Sequence, residues 1–428
     1  MFFLAATTAF TLVVQREVGG DVVLKGGHPV FRRACFEPYQ KLFGISLSVA
    51  PDCDGDGQQD IMIGAPGDDP GSVYFYSSRT CEPIGELVGP SRSFGFGIGV
   101  CYLSDLDGDG VNEIAVGEGD GERWGTANNH VWVISMKKRN VLYEVLGAEG
   151  EWLFGSSLQP VGDLTGDAVT DLAVGFAPDP ERSGLLFVDG SNGSRLYSLQ
   201  GHGSAFTRPG RCVPIPDLNG DSIAEVVVGF SERSGSKGTA WIHSGRDGTP
   251  FLELVAESAR AFGAAVARID HEEEGVRIVV GAPGGDENCE AGVVFCFSRD
   301  GSREIWRTSG SDLGGAVLEL GASLLPIGDT DGDGWGDVAV SSYDFFGVRI
   351  HVLDGRTGSV LREDSYDDEF VPAYGALFEG PTGAEQEGSY LVRRYAPSSI
   401  GRQGQGALWF SGQTGQVVGS FVLPQFVR

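Results

Sequence analysis

Residues 52–66 read DCDGDGQQDIMIGAP: four acids, Asp52, Asp54, Asp56 and Asp60, followed at once by the apolar run Ile61-Met62-Ile63. Numbered from Asp52, the acids occupy positions 1, 3, 5 and 9. Alternating side chains in a tight loop can converge on one point. Gly57 at position 6 permits the sharp turn, and Gln58 at position 7 offers its backbone carbonyl. Carboxylates crowded in this way repel one another unless a cation sits among them. An all-oxygen set without Cys or His suits Ca2+, which takes roughly 6–8 oxygen ligands.

An EF-hand loop opens alike, but it needs a Glu at position 12 and flanking helices. Here position 12 is Ile63, and the acid at position 9 opens a β-strand pattern. The charge therefore reads as a cation cage between two strands, and the apolar run as the second of them.

The stretch recurs as DLDGDGVNEIAVG (105–117), DLTGDAVTDLAVG (163–175), DLNGDSIAEVVVG (217–229) and DTDGDGWGDVAV (329–340). The first acids lie 53, 58 and 54 residues apart, and Asp217 to Asp329 is 112, two periods. A unit without the cage fills the gap, ARIDHEEEGVRIVVGAP (267–283), with Arg277 where the last acid would stand. A seventh, weaker unit ends in LVRRYAP (391–397). A fixed period of this size signals a propeller or an array.

Other features repeat in phase. Phe-Gly pairs precede several loops: Phe43-Gly44, Phe94-Gly95, Phe154-Gly155 and Phe262-Gly263. A second apolar run and a Gly-bearing hairpin follow each loop, as in AWIHSGRDGTPFLEL (240–254). Short Val/Ile-rich runs bounded by Gly and Asp are strands. Each unit thus holds four strands, and four-stranded units repeated radially make an all-β, seven-bladed propeller. The blades are expected near 42–91, 92–150, 151–204, 205–259, 260–311, 312–366 and 367–428. The segment 1–41 is left as a leader or a closing strand; MFFLAATTAFTLVV has a signal-like apolar core without a basic start.

The loops differ in donor set. The full cages are Asp52, Asp54, Asp56, Gln58 and Asp60; Asp105, Asp107, Asp109, Val111 and Glu113; and Asp329, Asp331, Asp333, Trp335 and Asp337. Two loops have three carboxylates: Asp163, Thr165, Asp167, Val169 and Asp171; and Asp217, Asn219, Asp221, Ile223 and Glu225. At position 7 the backbone carbonyl is the intended donor, and the Trp335 ring reads as local packing. Five in-phase repeats favour Ca2+ cages over solvated acidic turns: three strong sites and two weaker ones.

Composition narrows the function. With 31 Lys+Arg against 59 Asp+Glu, the formal net charge of −28 argues against a nucleic-acid partner. No apolar run is long enough for a membrane-spanning helix. Seven cysteines leave at least one unpaired; Cys53–Cys81 and Cys289–Cys296 are the pairs worth testing. Asn192-Gly193-Ser194 reads as a hairpin turn rather than a glycosylation acceptor. His130, His243 and His351 fall on third strands, at positions read as exposed.

The order Phe-Gly, acidic loop, Gly-Ala-Pro (Gly64-Ala65-Pro66, Gly281-Ala282-Pro283) resembles the FG-GAP repeats of the integrin α-subunit head and its bacterial relatives. The resemblance covers almost the whole chain after residue 41. It implies Ca2+ between the first two strands of a blade on one face, with ligands on the opposite face. There the loops 65–72, 117–129, 176–183, 230–238, 282–292 and 341–347 would meet a partner, with Trp124, Tyr343, Phe345 and Phe346 as candidate anchors. The reading is a Ca2+-stabilised binding or adhesion module with a protein or glycan ligand, at the cell surface, outside the cell or in a periplasm. The rival reading is a polysaccharide lyase or hydrolase on the same scaffold; no GxSxG, HExxH or P-loop motif is present.

Overall fold

The computed structural model describes residues 30–32, 42–67, 70–90, 95–119, 129–179, 182–202, 211–231, 238–256, 259–285, 291–314, 317–343, 348–365, 377–379, 389–394, 406–414 and 416–422. The leader-like stretch, Phe94, Trp124, Cys289, Phe345 and Phe346 lie outside them.

Seven antiparallel sheets follow one another along the chain. Blade 1 holds β2 (Leu47–Ala50), β3 (Asp60–Ala65), β4 (Ser72–Tyr76) and β5 (Pro83–Val88), with β1 (Val30–Arg32) as a fifth strand paired to β5. Blade 2 is β6 (Phe96–Tyr102), β7 (Ile114–Glu118), β8 (His130–Ser135) and β9 (Asn140–Leu146). Blade 3 is β10 (Leu158–Pro160), β11 (Leu172–Asp179), β12 (Arg182–Val188) and β13 (Arg195–His202). Blade 4 is β14 (Arg211–Ile215), β15 (Glu225–Phe230), β16 (Thr239–His243) and β17 (Pro250–Leu254). Blade 5 is β18 (Ala265–His271), β19 (Gly275–Ala282), β20 (Val293–Ser298) and β21 (Glu304–Ser309). Blade 6 is β22 (Leu324–Gly328), β23 (Asp337–Tyr343), β24 (Val348–Leu353) and β25 (Val360–Ser365). Blade 7 is β26 (Leu377–Glu379), β27 (Tyr390–Arg394), β28 (Gly406–Phe410) and β29 (Val417–Val422). Among the described residues the only helical piece is a 3-10 turn, Gly310–Leu313.

The second strands are apolar throughout because they are buried on both faces. In β3, Ile61, Ile63 and Ala65 pack toward blade 7, while Met62 packs toward blade 2. Each of the seven hydrophobic clusters joins one pair of neighbouring blades. The ring closes where Phe43, Tyr74 and Tyr76 of blade 1 meet Leu391, Trp409 and Phe421 of blade 7. Among the described residues all four strands of blade 7 come from the C-terminal part of the chain, and side-chain packing joins blade 7 to blade 1.

The Phe-Gly and Gly-Ala-Pro elements are two halves of one contact. The Gly44 amide donates to the Gly64 carbonyl within blade 1 (2.9 Å), and Gly155 and Gly263 do the same to Gly175 and Gly281. Across blades, a Cβ on Gly117 would lie 2.0 Å from the Gly155 carbonyl oxygen, and one on Gly281 2.0 Å from that of Gly321. Backbone touches backbone there, and only glycine permits it. The same geometry corrects the second Phe-Gly. Phe96-Gly97 occupies the place of Phe43-Gly44, with Gly97 at φ 90° against Gly64 and Phe96 fully buried.

The outer rim has its own stitches. Tyr143 Oη donates to the Gly190 carbonyl (2.6 Å), Tyr197 Oη to Gly245 (2.8 Å) and Trp306 Nε1 to Gly355 (3.0 Å). Each fixes the third-to-fourth-strand turn of the next blade, and that turn lies beside the acidic loop of its own blade.

Two expectations need correction. The stretch 176–183 is not an open loop, because β11 and β12 run on to the pair Asp179↔Arg182. Cys53 is a free thiol, so Cys53–Cys81 is not a bridge; Cys53 Sγ donates to the Pro51 carbonyl instead.

Candidate metal centres

The acidic loops of blades 1, 2, 3, 4 and 6 share one backbone plan. The position-1 carboxylate gathers amide donors from across the turn. Asp52 accepts from Gly55 (2.6 Å), Asp56 (3.2 Å) and Gly57 (2.9 Å). Asp105, Asp163, Asp217 and Asp329 repeat the pattern. These donors, led by Gly110 and Gly220, hold the Asp105 and Asp217 carboxyls below the ordinary range. At position 5, Asp56, Asp109, Asp167, Asp221 and Asp333 each accept the amide of position 7. Gln58, Val111, Val169, Ile223 and Trp335 thus join the loop through backbone, and the Trp335 ring is buried in the blade 5–6 core.

Position 6 is left-handed in all five loops. Gly57, Gly110 and Gly334 have φ of 87°, 83° and 94°, and Ala168 and Ser222 hold 66° and 70° without glycine's freedom. The two three-carboxylate loops therefore keep the turn at some conformational cost.

Position 9 is the buried end of each loop. Asp60, Glu113, Asp171, Glu225 and Asp337 are closed to solvent, and each accepts the amide of position 2. With Asp at this position, the second oxygen takes another amide, from Ser78, Gly190 or Gly355. With Glu it does not, and the buried Oε1 atoms of Glu113 and Glu225 have no hydrogen-bond partner. Burial pushes the Asp60 and Glu113 carboxyls up to about 7 and Asp171 to about 6, and raises Glu225 and Asp337 as well. A buried carboxylate with an unpaired oxygen is what a cation would satisfy.

Three loops bring carboxylates together. One oxygen from each of Asp105, Asp107, Asp109 and Glu113 lies within 4.8 Å of the others, and so do Asp52, Asp54 and Asp60, and Asp329, Asp331 and Asp333. Asp56 and Asp337 stand outside their groups. The loops at Asp163 and Asp217 form no such group among the described residues. Oxygen-only donors, three or four carboxylates and an orphaned Glu113 oxygen fit a hard divalent cation, and Ca2+ better than Mg2+.

Sequence reasoning missed the basic residues beside these loops. They come from the third-to-fourth-strand turn, some 25 residues downstream. Arg246 Nε lies 3.0 Å from Asp221 Oδ2, Lys138 Nζ 3.0 Å from Asp107 Oδ1, and Arg356 Nη1 3.8 Å from Asp333 Oδ2. The readable signal was a Lys or Arg recurring near the third place of that turn, at Arg79, Lys137, Arg246 and Arg356.

Blade 5 lacks the cage. Its first two strands pair without interruption to His271↔Gly275, and His271 Nδ1 accepts the amides of Glu273 and Glu274 (3.0 Å each). The Arg277 guanidinium sits 3.6 Å over the Trp335 ring and donates to the Gly355 and Arg356 carbonyls of blade 6.

The other candidates are placed as follows. Tyr343 lies in β23, pairs with Val348 and packs against the blade 6–7 core. His351 is buried rather than exposed; its Nε2 is 2.8 Å from Ser342 Oγ, and its Nδ1 4.0 Å from Glu363. The order resembles a catalytic triad, with Ser342 and His351 both buried. His130 and His243 are half-buried, each with a lowered basicity caused by burial. No helix among the described residues is long and apolar enough to cross a membrane.

Comparison with known proteins agrees with this geometry. The FG-GAP repeat family model matches residues 43–76. Mouse integrin alpha-3 is 30% identical over 181 residues, 39% of this chain and 16% of that protein. Human integrin alpha-7 is 33% identical over 151 residues, 32% of this chain and 12% of its own length. The chain therefore spans a small part of these relatives. Among solved structures, BBS1N in complex with ARL6DN, soaked with lead, superposes with a TM-score of 0.51 at 12% identity, covering 93% of this chain and 98% of that one, a likeness of fold alone. Repeat, ring and matches converge: the chain is a seven-bladed β-propeller, similar in one repeat to the FG-GAP family model and in part of its length to integrin α-subunits.

Proposed function

We propose that this propeller is a non-enzymatic binding or adhesion module working outside the cytosol, with Ca2+ as a structural element of its blades. The observation that carries the reading is the set of three carboxylate clusters, all in the first-to-second-strand connections of an FG-GAP propeller. Asp52, Asp54 and Asp60, Asp105, Asp107, Asp109 and Glu113, and Asp329, Asp331 and Asp333 would hold the ions. The loops at Asp163 and Asp217 bind more weakly or not at all. The ion supplies positive charge to buried carboxylates and locks the loop. Extracellular modules of this kind hold Ca2+ at roughly 10⁻⁴–10⁻³ M, a concentration found outside the cytosol. The ligand, a protein or a glycan, is placed on the face opposite the acidic loops, formed by the connections between second and third strands.

Thermal unfolding in EDTA, in millimolar Ca2+ and in millimolar Mg2+ tests the metal half of the reading. A Ca2+-specific rise in Tm is expected. An unchanged Tm with no calcium by elemental analysis would reduce the loops to acidic turns. Arrays of extracellular proteins and of glycans, probed with and without Ca2+, identify the ligand class.

A further inference from the structure

The three carboxylate clusters differ in what stands next to position 3. In the blade 2 cluster, Lys138 Nζ lies 3.0 Å from Asp107 Oδ1, and the neighbouring Lys137 Nζ donates to the Asp109 carbonyl. Both come from the turn that follows β8. Among the described residues no basic side chain pairs with Asp54 or Asp331, and the Arg356 contact in blade 6 is longer and reaches position 5. The blade 2 cluster is also the one with four carboxylates in mutual reach. Most of its other oxygens accept backbone amides: Asp105 from Gly108, Asp109 and Gly110, Asp109 Oδ1 from Val111, and Glu113 Oε2 from Leu106. Glu113 Oε1 and both Asp107 oxygens are buried without a hydrogen-bond partner, so Lys138 meets Asp107 as an ion pair. The loop with four carboxylates in mutual reach thus carries a cation on a flexible stem at its least committed carboxylate.

We propose that Lys138 is a tethered counter-cation of the blade 2 loop, which neutralises Asp107 when no metal is bound and competes with Ca2+ for that carboxylate. The inference rests on the Ca2+ reading above and reverses one of its implications. Carboxylate count alone ranks this loop with the tightest, whereas a resident ammonium that must be displaced makes it weaker than its donor set suggests. Half of the Lys138 side chain is exposed, so it has room to swing into solvent when a metal enters. One ammonium leaving for one divalent ion makes the exchange electrostatically modest and readily reversible.

The test compares wild type, K138Q, K138R and the loop-disabled D105N and D105N/K138Q variants by calorimetric Ca2+ titration and by thermal unfolding in EDTA and in Ca2+. Two opposite shifts are expected in K138Q: a lower Tm in EDTA, and one class of Ca2+ site tightened roughly threefold or more, the scale of a half-exposed ion pair. K138R keeps the wild-type titration. In D105N/K138Q the tightening is absent. A role in packing alone lowers Tm equally in both conditions and leaves the titration unchanged, which overturns the proposal while leaving the Ca2+ reading intact. Absence of any Ca2+ response in both wild type and K138Q overturns both.

Discussion

Blades 5 and 6 stand side by side and join their first two strands by opposite means. Blade 6 spends eight residues, Asp329 to Gly336, on an acidic loop whose buried end, Asp337, is pushed upward in pKa by burial. Blade 5 uses the short turn Glu272–Glu274, closed by one histidine nitrogen, and carries Arg277 where its neighbour carries an acid. Both give a four-stranded blade of the same order. On the proposed Ca2+ reading, cation binding is therefore a property of the loop and not of the blade. Arg277 ties blade 5 to blade 6 through Trp335 and two carbonyls.

The largest expected effect tests what the two blades share. Gly281→Val forces a side chain into the Gly321 carbonyl. It should cost about 3 kcal/mol or more, equally in EDTA and in Ca2+, read as the denaturation midpoint. An effect that vanished in Ca2+ would mean that the metal, not backbone contact, sets the spacing of these blades.

A buried acid outside any loop separates burial from cation demand. Glu118 accepts from Trp132 Nε1 (2.7 Å) and is pushed by burial up to about 7. Its folded pKa lies above the unfolded value, so the folded state holds the proton longer. Stability is then lost as pH rises between about 4.5 and 7. Glu118→Gln should flatten that slope and gain up to about 3 kcal/mol at pH 8, with no gain near pH 4. Added Ca2+ should leave the Glu118 slope in place.

Next come the two blades themselves. Asp329→Asn should lose about 2–3 kcal/mol where Ca2+ exceeds Kd ~100-fold, and far less in EDTA. Arg277→Met should lose about 1–2 kcal/mol, the same with or without Ca2+, since a cation–π contact and two carbonyl bonds are gone. A Ca2+-dependent loss in Arg277→Met would show that the stitch and the blade 6 loop act as one unit, because Trp335 belongs to both.

What was legible in the sequence was whatever repeats locally. The period, the strands and the five acidic loops follow from spacing, since the hydrogen bonds made inside each loop, from position 1 to the amide of position 6 and from position 9 to that of position 2, are local in sequence. Contacts across blades were not legible. The run FGFG at 94–97 offers two Phe-Gly pairs, and only the meeting of Gly97 with Gly64 selects the second. Lys138 and Arg246 approach acids in sequence-distant loops through a turn held by the sheet. His351 looked exposed from strand position alone, yet a blade interior is buried on both sides, and Ser342 gives its ring a partner.

The glycine-to-glycine seam between blades has a consequence for how such a ring changes over time. A seam made of side chains can be widened or narrowed by trading one residue for another. A seam made of main chain against main chain has nothing left to trim, so the angular step from blade to blade is fixed wherever it occurs. Variation is then pushed outward, into connections that touch no neighbour. The same frame can carry new surfaces there without being refitted, much as a wheel keeps its hub while its rim is rebuilt.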